Sequence, residues 1–554
     1  MEIRADIHLT SPRSQVSRLD DLPFVDRSLV DYEKYNRFIG QAMVKNCLSL
    51  MATRGCPYKC AYCHKIWPKR HYARSAESII QEIQIYYDMG IRRYSFVDDI
   101  FNLDKKNSSR FFELIIRQGL SVQLFFPGGF RGDILSLDYI DLLVEAGTVN
   151  VALALETASP RLQKFMGKGL NIERFRENIE YFCQKYPQVI LELFTIMGFP
   201  TETEEEAVMT LDFIKSLKWI HFIYANILKI FPHTDMEKLA LENGVSRQAI
   251  FTSMNLAYDE IPETIPFSKA FARWHQAELL HKYILQRERL MAVLPYQTKI
   301  LTEDEIVQKY NSFLPGNIAS LDDLQKYLGI SPTELRAEAC QRESVFYVPG
   351  LNQKTAQYFG APEPQAGALK ILLLDLSHFF SNDRCILYEV FEPPLGLMYL
   401  MSYLKQKLGD KVVGKIAESR MDFDNEEELK ALLDEFNPDI IGVRSLTLFK
   451  KFFHKMVERI RGWKKDVPII AGGPYATSEY STILLDPNID LVVLGEGEIT
   501  FCALITAIIE NGGKLPGIDV LKGIDGIAFV PGLNESTGRQ PGVLSHFNDD
   551  LENE

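Results

Sequence analysis

The sequence predicts an α/β protein: six βα units that make a partial (β/α)6 barrel or an open parallel sheet, then a helical region, then a C-terminal Rossmann-like domain. Three observations carry this. Short apolar runs alternate with amphipathic stretches from about residue 47 to 232. The alternation gives way to a mainly helical pattern over about 270 to 345. It resumes from residue 370, after the Gly-, Pro- and Ala-rich stretch "GAPEPQAGALK" at 360–370. Apolar runs of strand length separated by helix-length amphipathic segments are the pattern of parallel sheets with helical crossovers.

In chain order, the first forty residues are polar and turn-rich, with "RLDDLPFVDRSL" as an extended segment. The first set of strands reads "CLSLMAT", "RRYSFVDD", "SVQLFFPG", "VNVALALE", "VILELFTIMG" and "FIYANILKIFP". Helices read between them, from "SAESIIQEIQIYYDMG" to "EEEAVMTLDFIKSL". The stretch "SLDDLQKYLGISPTELRAEA" has the helix, Gly-containing turn, helix look of a helix-turn-helix. The second set of strands reads "KILLLDL", "VVGKIAE", "DIIGVRSL", "VPIIAGG" and "DLVVLGEG", with helices that include "LGLMYLMSYLKQKLG", "YSTILLD" and "ITFCALITAIIENGG". Five such βα units make a doubly wound sheet that binds ligands at the carboxyl ends of its strands. The expected divisions are an N-terminal extension, 1–45, packing on the C-terminal domain; the barrel, 46–290; a mainly helical substrate or linker region, 291–365; and the Rossmann-like domain, 366–554.

Bulk properties narrow the function classes. The 554 residues are 46% hydrophobic and 24% charged, which is ordinary for a globular chain of several domains. A net charge of −13 with no long basic run argues against nucleic acid and anionic membranes as partners. No apolar stretch is long enough to span a bilayer, and "MEIRADIHLT" lacks the apolar core of a signal peptide. Eight cysteines in so long a chain do not form a disulfide framework, so the expected compartment is the reducing cytoplasm.

Three of those eight, Cys56, Cys60 and Cys63, stand in "RGCPYKCAYC" after the first strand. Thiolates so spaced on one loop can hold zinc or three corners of an iron–sulfur cluster. His64 follows Cys63 directly and is expected to point away from the same metal. The loop leaves the carboxyl end of a barrel strand, the face where such folds build active sites.

"CPYKCAYC" resembles the signature of the radical SAM superfamily. Downstream, "RHYARSAESIIQEI", "FVDDIFN", "RGDIL", "ALETASPRLQKFMGKG" and "FTIMGFPTETEEE" are similar, in order, to the later strand motifs of its cobalamin-associated branch. The resemblance, over roughly 19–235, implies a [4Fe–4S] cluster on the three cysteines. Its bare iron would chelate S-adenosylmethionine, whose reductive cleavage gives a 5′-deoxyadenosyl radical. The residues implied as S-adenosylmethionine contacts are Tyr62 near the adenine, Asp98 and Asp99 at the methionine, Arg131 as a carboxylate clamp, and Glu156 and Thr157 near the ribose.

The C-terminal motifs "EPPLGLMYLMSYL", "FNPDIIGVRSLTLF", "VPIIAGGPYAT" and "DLVVLGEGEIT" resemble, over about 368–530, the cobalamin-binding domain of the same branch. The contacts this implies are Pro394, Leu395 and Gly396; Ser445 and Thr447 towards the nucleotide tail; Gly472 and Gly473 giving it room; and Gly495, Glu496 and Gly497, with Glu498, on the far side. Proteins with a histidine lower ligand carry Asp-x-His-x-x-Gly after the first strand. Here the loop reads "DLSHFFSN", with His378 one place late and the glycine missing, so the cobalamin is expected base-off without a histidine ligand.

The cobalamin domain usually comes first in this branch and here comes last, so the chain reads as a circular permutant. "IRADIHL" is then expected to pack beside or pair with "GIAFVPG". Together the resemblances imply an enzyme that methylates an unactivated sp3 carbon of a small-molecule or peptide substrate, with the two cofactors facing one cavity. They also imply a reductase partner such as flavodoxin or ferredoxin. Two alternatives stand beside this: a cobalamin-dependent rearrangement, cyclisation or epimerisation, with Cys385 as the nominated thiol, and a non-catalytic cobalamin sensor. Specificity is expected in residues 236–365, where the helix-turn-helix-like segment could grip a leader peptide, and His233 and Asp235 are candidates to face the cavity.

Overall fold

In the computed structural model the described residues are 7–36, 42–64, 69–256, 260–314, 316–331, 334, 339–360, 363–381 and 391–531. Their strands run β1 His8–Leu9, β2 Leu48–Leu50, β3 Thr53–Arg54, β4 Tyr72–Ala73, β5 Arg93–Phe96, β6 Gln123–Phe130, β7 Thr148–Glu156, β8 Ile190–Met197, β9 Phe222–Ile227, β10 Leu369–Asp375, β11 Val412–Glu418, β12 Ile440–Arg444, β13 Ile469–Gly472, β14 Leu491–Val493 and β15 Ile527–Phe529. The chain divides into two compact units. One comprises Met1–Lys34, Gly350–Ile386 and Pro393–Glu554; the other comprises Tyr35–Pro349 and Leu387–Glu392.

The second of these is built on six parallel strands in the order β2-β5-β6-β7-β8-β9. Each strand pairs with the next of the set, with a helix between, as in a barrel and unlike a doubly wound sheet. Among the described residues β2 and β9 do not pair, so the barrel is partial. Its helices start where the sequence supplies caps: Ser75, Asp104, Asn171 and Thr203 each accept a first-turn backbone N–H. An aromatic cluster locks the second crossover. Phe96 and Phe101 pack on Phe126 at 4.8 and 4.7 Å, and Phe111 of the helix Lys105–Gln118 joins them.

The helical region closes the amino ends of these strands. Arg93, which opens β5, pairs with Glu305 at 2.6 Å with both side chains fully buried. It also donates to Gln123 Oε1 and to the Ile300 carbonyl and stacks on Phe346. Lys309 pairs with Glu192 of β8 at 2.9 Å, and Arg289 donates to the Ile220 carbonyl just before β9. The helices Arg287–Gln297 and Glu303–Asn311 therefore lie at the strand edge opposite the cysteine loop. The segment packed with that loop is shorter: Leu228, Ile230, Met236, Ala240 and Ile250 form a core with Ala61, Leu162, Met166 and Phe199. In the helix-turn-helix-like stretch the first helix is Leu321–Tyr327, and most of the second lies outside the described residues.

The other unit holds a seven-stranded sheet in the order β1-β15-β14-β13-β12-β10-β11. Its five predicted strands are the parallel ones, and β10 lies between β11 and β12, so the strand order reverses beside it. Such a reversal opens a crevice at the carboxyl ends, where doubly wound folds bind ligands. The N-terminal segment completes the far edge. β1 pairs antiparallel with β15, His8 opposite Phe529 and Leu9 opposite Ala528. Thr10 Oγ1 both donates to the Ile527 carbonyl at 3.1 Å and accepts from its N–H at 3.0 Å. The expected pairing of the two chain ends is thus found in its central part; residues 1–6 and 532–554 lie outside the described residues. Two local expectations change. "YSTILLD" is helical only over Tyr480–Ile483, and an unanticipated helix, Gly473–Ser478, follows β13 without a loop.

Candidate active site and cofactor edges

The cysteine loop is closed at its base by the two-residue ladder of β3 with β4. Asp98, just past β5, ties that base to the sheet: its Oδ1 accepts from Ala52 N at 3.0 Å, from Thr53 Oγ1 at 2.6 Å and from Thr53 N. Farther along, Ala61 N donates to the Met166 carbonyl at 2.7 Å, and the Ala61 carbonyl accepts from Met236 N at 2.8 Å. Gly167, at φ +69°, lies against this loop. A Cβ there would stand 3.1 Å from the Lys59 carbonyl in a conformation that L side chains avoid. Cys56 and Cys60 are half-buried and Cys63 is exposed; none is in a disulfide.

Burial pushes all three thiols above their ordinary range. Cys60 raises Cys56 further, and Cys56 and Cys60 together raise Cys63. Thiols that resist ionisation alone would need a cationic group to hold them as thiolates. Among the described residues no set of three His, Cys, Asp or Glu side chains is gathered to hold a metal ion. His64 does not join the thiols: its ring packs on Phe231 at 4.2 Å.

Beside Cys60 the carboxyl ends of β7 and the loop after it assemble a buried polar group. Glu156 ends β7 at φ +65°, a conformation rare for a residue with a side chain. Its Oε1 accepts from Tyr62 Oη at 2.9 Å and from Lys168 Nζ at 2.8 Å. Lys168 also donates to the Ala154 carbonyl at 2.6 Å. Tyr62 and Glu156, two of the expected contacts, are thus brought together. Lys168 was missed by the sequence reading, although "MGKG" sets a lysine between two glycines at the same strand end.

Other expected contacts have different partners. Arg131 does not offer a free fork for a carboxylate. Its Nε and Nη2 bind Asp133 at 2.8 and 3.1 Å, its Nη1 and Nη2 also bind the Lys168 and Gly169 carbonyls, and its plane lies on Tyr58. Arg131 therefore braces the loop that carries Lys168. Thr157 is fully buried, with its hydroxyl 3.1 Å from Thr210 Oγ1 and accepting from Ser159 N, so it joins β7 to the helix Glu204–Ser216. Asp98 uses Oδ1 on the loop base; its Oδ2 is buried without a hydrogen-bond partner among the described residues. Burial pushes Asp98 up to about 7. Asp99 is exposed and accepts from Gly55 N at 3.2 Å, which keeps it beside the cysteines. His233 and Asp235 are exposed at the start of the helix Asp235–Glu242, and Glu237 accepts from His233 N.

In the Rossmann-like unit the expected contacts collect at the carboxyl ends of the parallel strands. Pro394 precedes the helix Leu395–Leu408, whose first turn holds Leu395 and Gly396. Ser445 is buried, and its hydroxyl donates to the Leu376 carbonyl at 2.8 Å, joining the loops after β10 and β12 at the strand-order reversal. Thr447 begins a short turn of helix beside it. Gly472 ends β13 and Gly473 opens the next helix. Gly495 N donates to Thr477 Oγ1 at 3.1 Å.

Two of this group are committed elsewhere. Glu496 Oε2 accepts from Val16 N at 3.0 Å. At Gly497 a Cβ would come within 2.9 Å of Leu400 Cδ2, so the helix Leu395–Leu408 packs close to this glycine. His378 Nδ1 lies 3.2 Å from Glu418 Oε1, and its ring is 5.9 Å from that of Phe449. Cys385 lies outside the described residues. A doubly wound crevice lined by small residues and helix amino ends fits a nucleotide-tailed cofactor such as cobalamin. Among the described residues no helix is long and apolar enough to cross a membrane.

Comparison with known proteins agrees with both readings. Residues 50–214 match the Radical SAM superfamily and residues 385–505 match the B12 binding domain. An uncharacterised methyltransferase of Pyrococcus horikoshii is 29% identical over 237 residues, 42% of this chain and 50% of that protein. The tRNA-2-methylthio-N(6)-dimethylallyladenosine synthase of Aquifex aeolicus is 27% identical over 37% of this chain and 47% of its own length. This chain thus spans about half the length of the curated relatives it matches. The solved radical S-adenosylmethionine methyltransferase TsrM of Kitasatospora setae is 20% identical over 35% of this chain and 37% of its own, with a TM-score of 0.32. The two domain types imply S-adenosylmethionine, an iron–sulfur cluster and cobalamin as the bound groups, and the chain carries a radical SAM domain followed by a B12 binding domain.

Proposed function

We propose that this chain is a cobalamin-dependent radical SAM enzyme that methylates an unactivated sp3 carbon of a small molecule or peptide. The observation that carries the reading is the Tyr62–Glu156–Lys168 group beside Cys60 at the carboxyl edge of the barrel. Bound here, a cluster with S-adenosylmethionine would supply hydrogen-abstracting radical chemistry and cobalamin would supply a methyl group. Cys56, Cys60 and Cys63 would hold the cluster.

Glu156 has one oxygen bound by Tyr62 and Lys168, and the other would accept from a ribose hydroxyl. Lys168 pairs with Glu156 at low exposure and holds its Oε1 in one orientation. Tyr62 would lie along the adenine while its hydroxyl holds Glu156. Asp99 would receive the amino group of the methionine moiety. At the other cofactor edge, Ser445 holds the two strand ends together, and the amino end of the helix Leu395–Leu408 would take the nucleotide tail. Methyl transfer gains support from the relative described as a methyltransferase. An RNA substrate, suggested by the tRNA-modifying relatives, is opposed by the net charge of −13.

The test is anaerobic loading with iron, sulfide and cobalamin, then reduction with methyl-deuterated S-adenosylmethionine and candidate substrates. Formation of 5′-deoxyadenosine together with a deuteromethylated product supports the reading. 5′-Deoxyadenosine with an isomerised, unlabelled product supports rearrangement or epimerisation. Cobalamin binding without any 5′-deoxyadenosine would leave a sensor. Cobalamin is expected without a histidine ligand, so His378→Ala should leave the cob(II)alamin electron paramagnetic resonance spectrum unchanged.

A further inference from the structure

A cavity of about 440 Å³ lies at the amino edge of the barrel sheet, remote from the cysteine loop. It is bounded by the end of the helix Ile172–Lys185, the residues that enter β8 and β9, and the helix Arg287–Gln297. Trp219, Tyr186 and Tyr296 supply aromatic walls, and exposed Lys218 supplies a cation at the rim. Its volume falls in the usual range of small-molecule sites.

One polar atom of a lining residue has no protein partner among the described residues. His221 is 2% exposed, and its Nε2 lies 3.1 Å from the Pro187 carbonyl. A carbonyl only accepts, so Nε2 carries the hydrogen and Nδ1 presents a lone pair. Burial, then the neighbouring Arg289 charge, depresses His221 to about 3, which keeps the ring neutral and Nδ1 an acceptor. That Nδ1 is buried with no hydrogen-bond partner among the described residues. An unfilled buried acceptor costs stability unless something that enters the site satisfies it.

We propose that this cavity is a second ligand site, distinct from the radical site, for a small aromatic acid bearing an O–H or N–H donor. The ring packs against Trp219, the donor meets His221 Nδ1, and the acid group faces Lys218. The proposal does not depend on the radical chemistry, because binding is read without turnover.

The test titrates the full-length cofactor-loaded chain with 4-hydroxybenzoate and with benzoate, which lacks the donor, by calorimetry. 4-Hydroxybenzoate is expected to bind about fivefold tighter than benzoate, the value of one hydrogen bond to a neutral acceptor. His221→Phe should equalise the two acids while retaining the aromatic contact. Ala292→Trp, which fills the cavity from its wall, should abolish binding of both. Absence of binding at millimolar concentration would overturn the proposal. So would a preference for 4-hydroxybenzoate that survives His221→Phe, or binding that survives Ala292→Trp in a chain that still unfolds cooperatively.

Discussion

Replacing Lys168 with methionine should expose how the candidate radical site is held. The ammonium is 2.8 Å from Glu156 Oε1, and the two side chains are 8% and 7% exposed. Water therefore screens the pair poorly, and removing one partner leaves a buried carboxylate with the single compensating bond from Tyr62. Breaking such a pair costs about 3–5 kcal/mol. The surviving tyrosine bond argues for the lower end, so Lys168→Met should cost about 3 kcal/mol. Glu156 also sits at φ +65°, a conformation that costs about 1–3 kcal/mol and persists only when its surroundings impose it. In the double variant Lys168→Met/Glu156→Gln no charge is stranded, so it should be more stable than Lys168→Met alone by about 1–2 kcal/mol. The assay is urea unfolding of the full chain followed by circular dichroism, with the transitions of the two units fitted separately. A loss below about 0.5 kcal/mol in Lys168→Met, the level of an ordinary surface substitution, or a double variant no more stable than that single one, would refute the buried-pair reasoning.

Other predictions follow from the same geometry. Burial pushes Glu202 up to about 7 from 4.5, although Gly198 N and Phe199 N both donate to it. The folded chain binds this proton more tightly than the unfolded chain. Stability from this group should therefore fall as pH rises from about 4.5 to 7, and Glu202→Gln should flatten the unfolding midpoint across that window. Gly497→Ala should cost no more than about 1 kcal/mol, because the added methyl meets only the movable end of Leu400, seen as a small fall in melting temperature. Arg93→Met should destabilise the barrel unit by about 3–5 kcal/mol by stranding Glu305 in a fully buried site, with most of that loss recovered by adding Glu305→Gln.

The sequence reveals repetition and local chemistry better than it reveals where side chains finally bond. All eleven predicted parallel strands are present, because apolar runs between capped amphipathic helices leave few other solutions. The pairing of β1 with β15 was also legible, since motif order placed the two chain ends together. At the site, the motifs named Tyr62 and Glu156, and the two side chains are hydrogen-bonded to each other. Arg131, Thr157, Glu496 and Gly497 were expected at ligands, and the structure adds protein neighbours that the motifs did not indicate: Asp133, Thr210, Val16 and Leu400. Each partner comes from another loop or helix, and residue type alone does not reveal such long-range satisfaction. Lys168 was overlooked for the same reason: its role exists only once the loop after β7 folds back onto Glu156. Residues 236–365 were expected to shape specificity because they follow β9; of these, Met236, Ala240 and Ile250 pack with the cysteine loop, while buried Arg93 and Glu192 draw the helices Arg287–Gln297 and Glu303–Asn311 to the opposite edge of the sheet.

The most direct test of the central claim is the yield of 5′-deoxyadenosine from the reduced chain, loaded anaerobically with iron, sulfide and cobalamin, beside the Cys56→Ala, Cys60→Ala and Cys63→Ala variants. The parent should cleave S-adenosylmethionine reductively, and each variant should lose both the cluster absorbance and the product. A parent that binds zinc at these thiols and forms no 5′-deoxyadenosine, or a variant that forms it as well as the parent, would contradict the account.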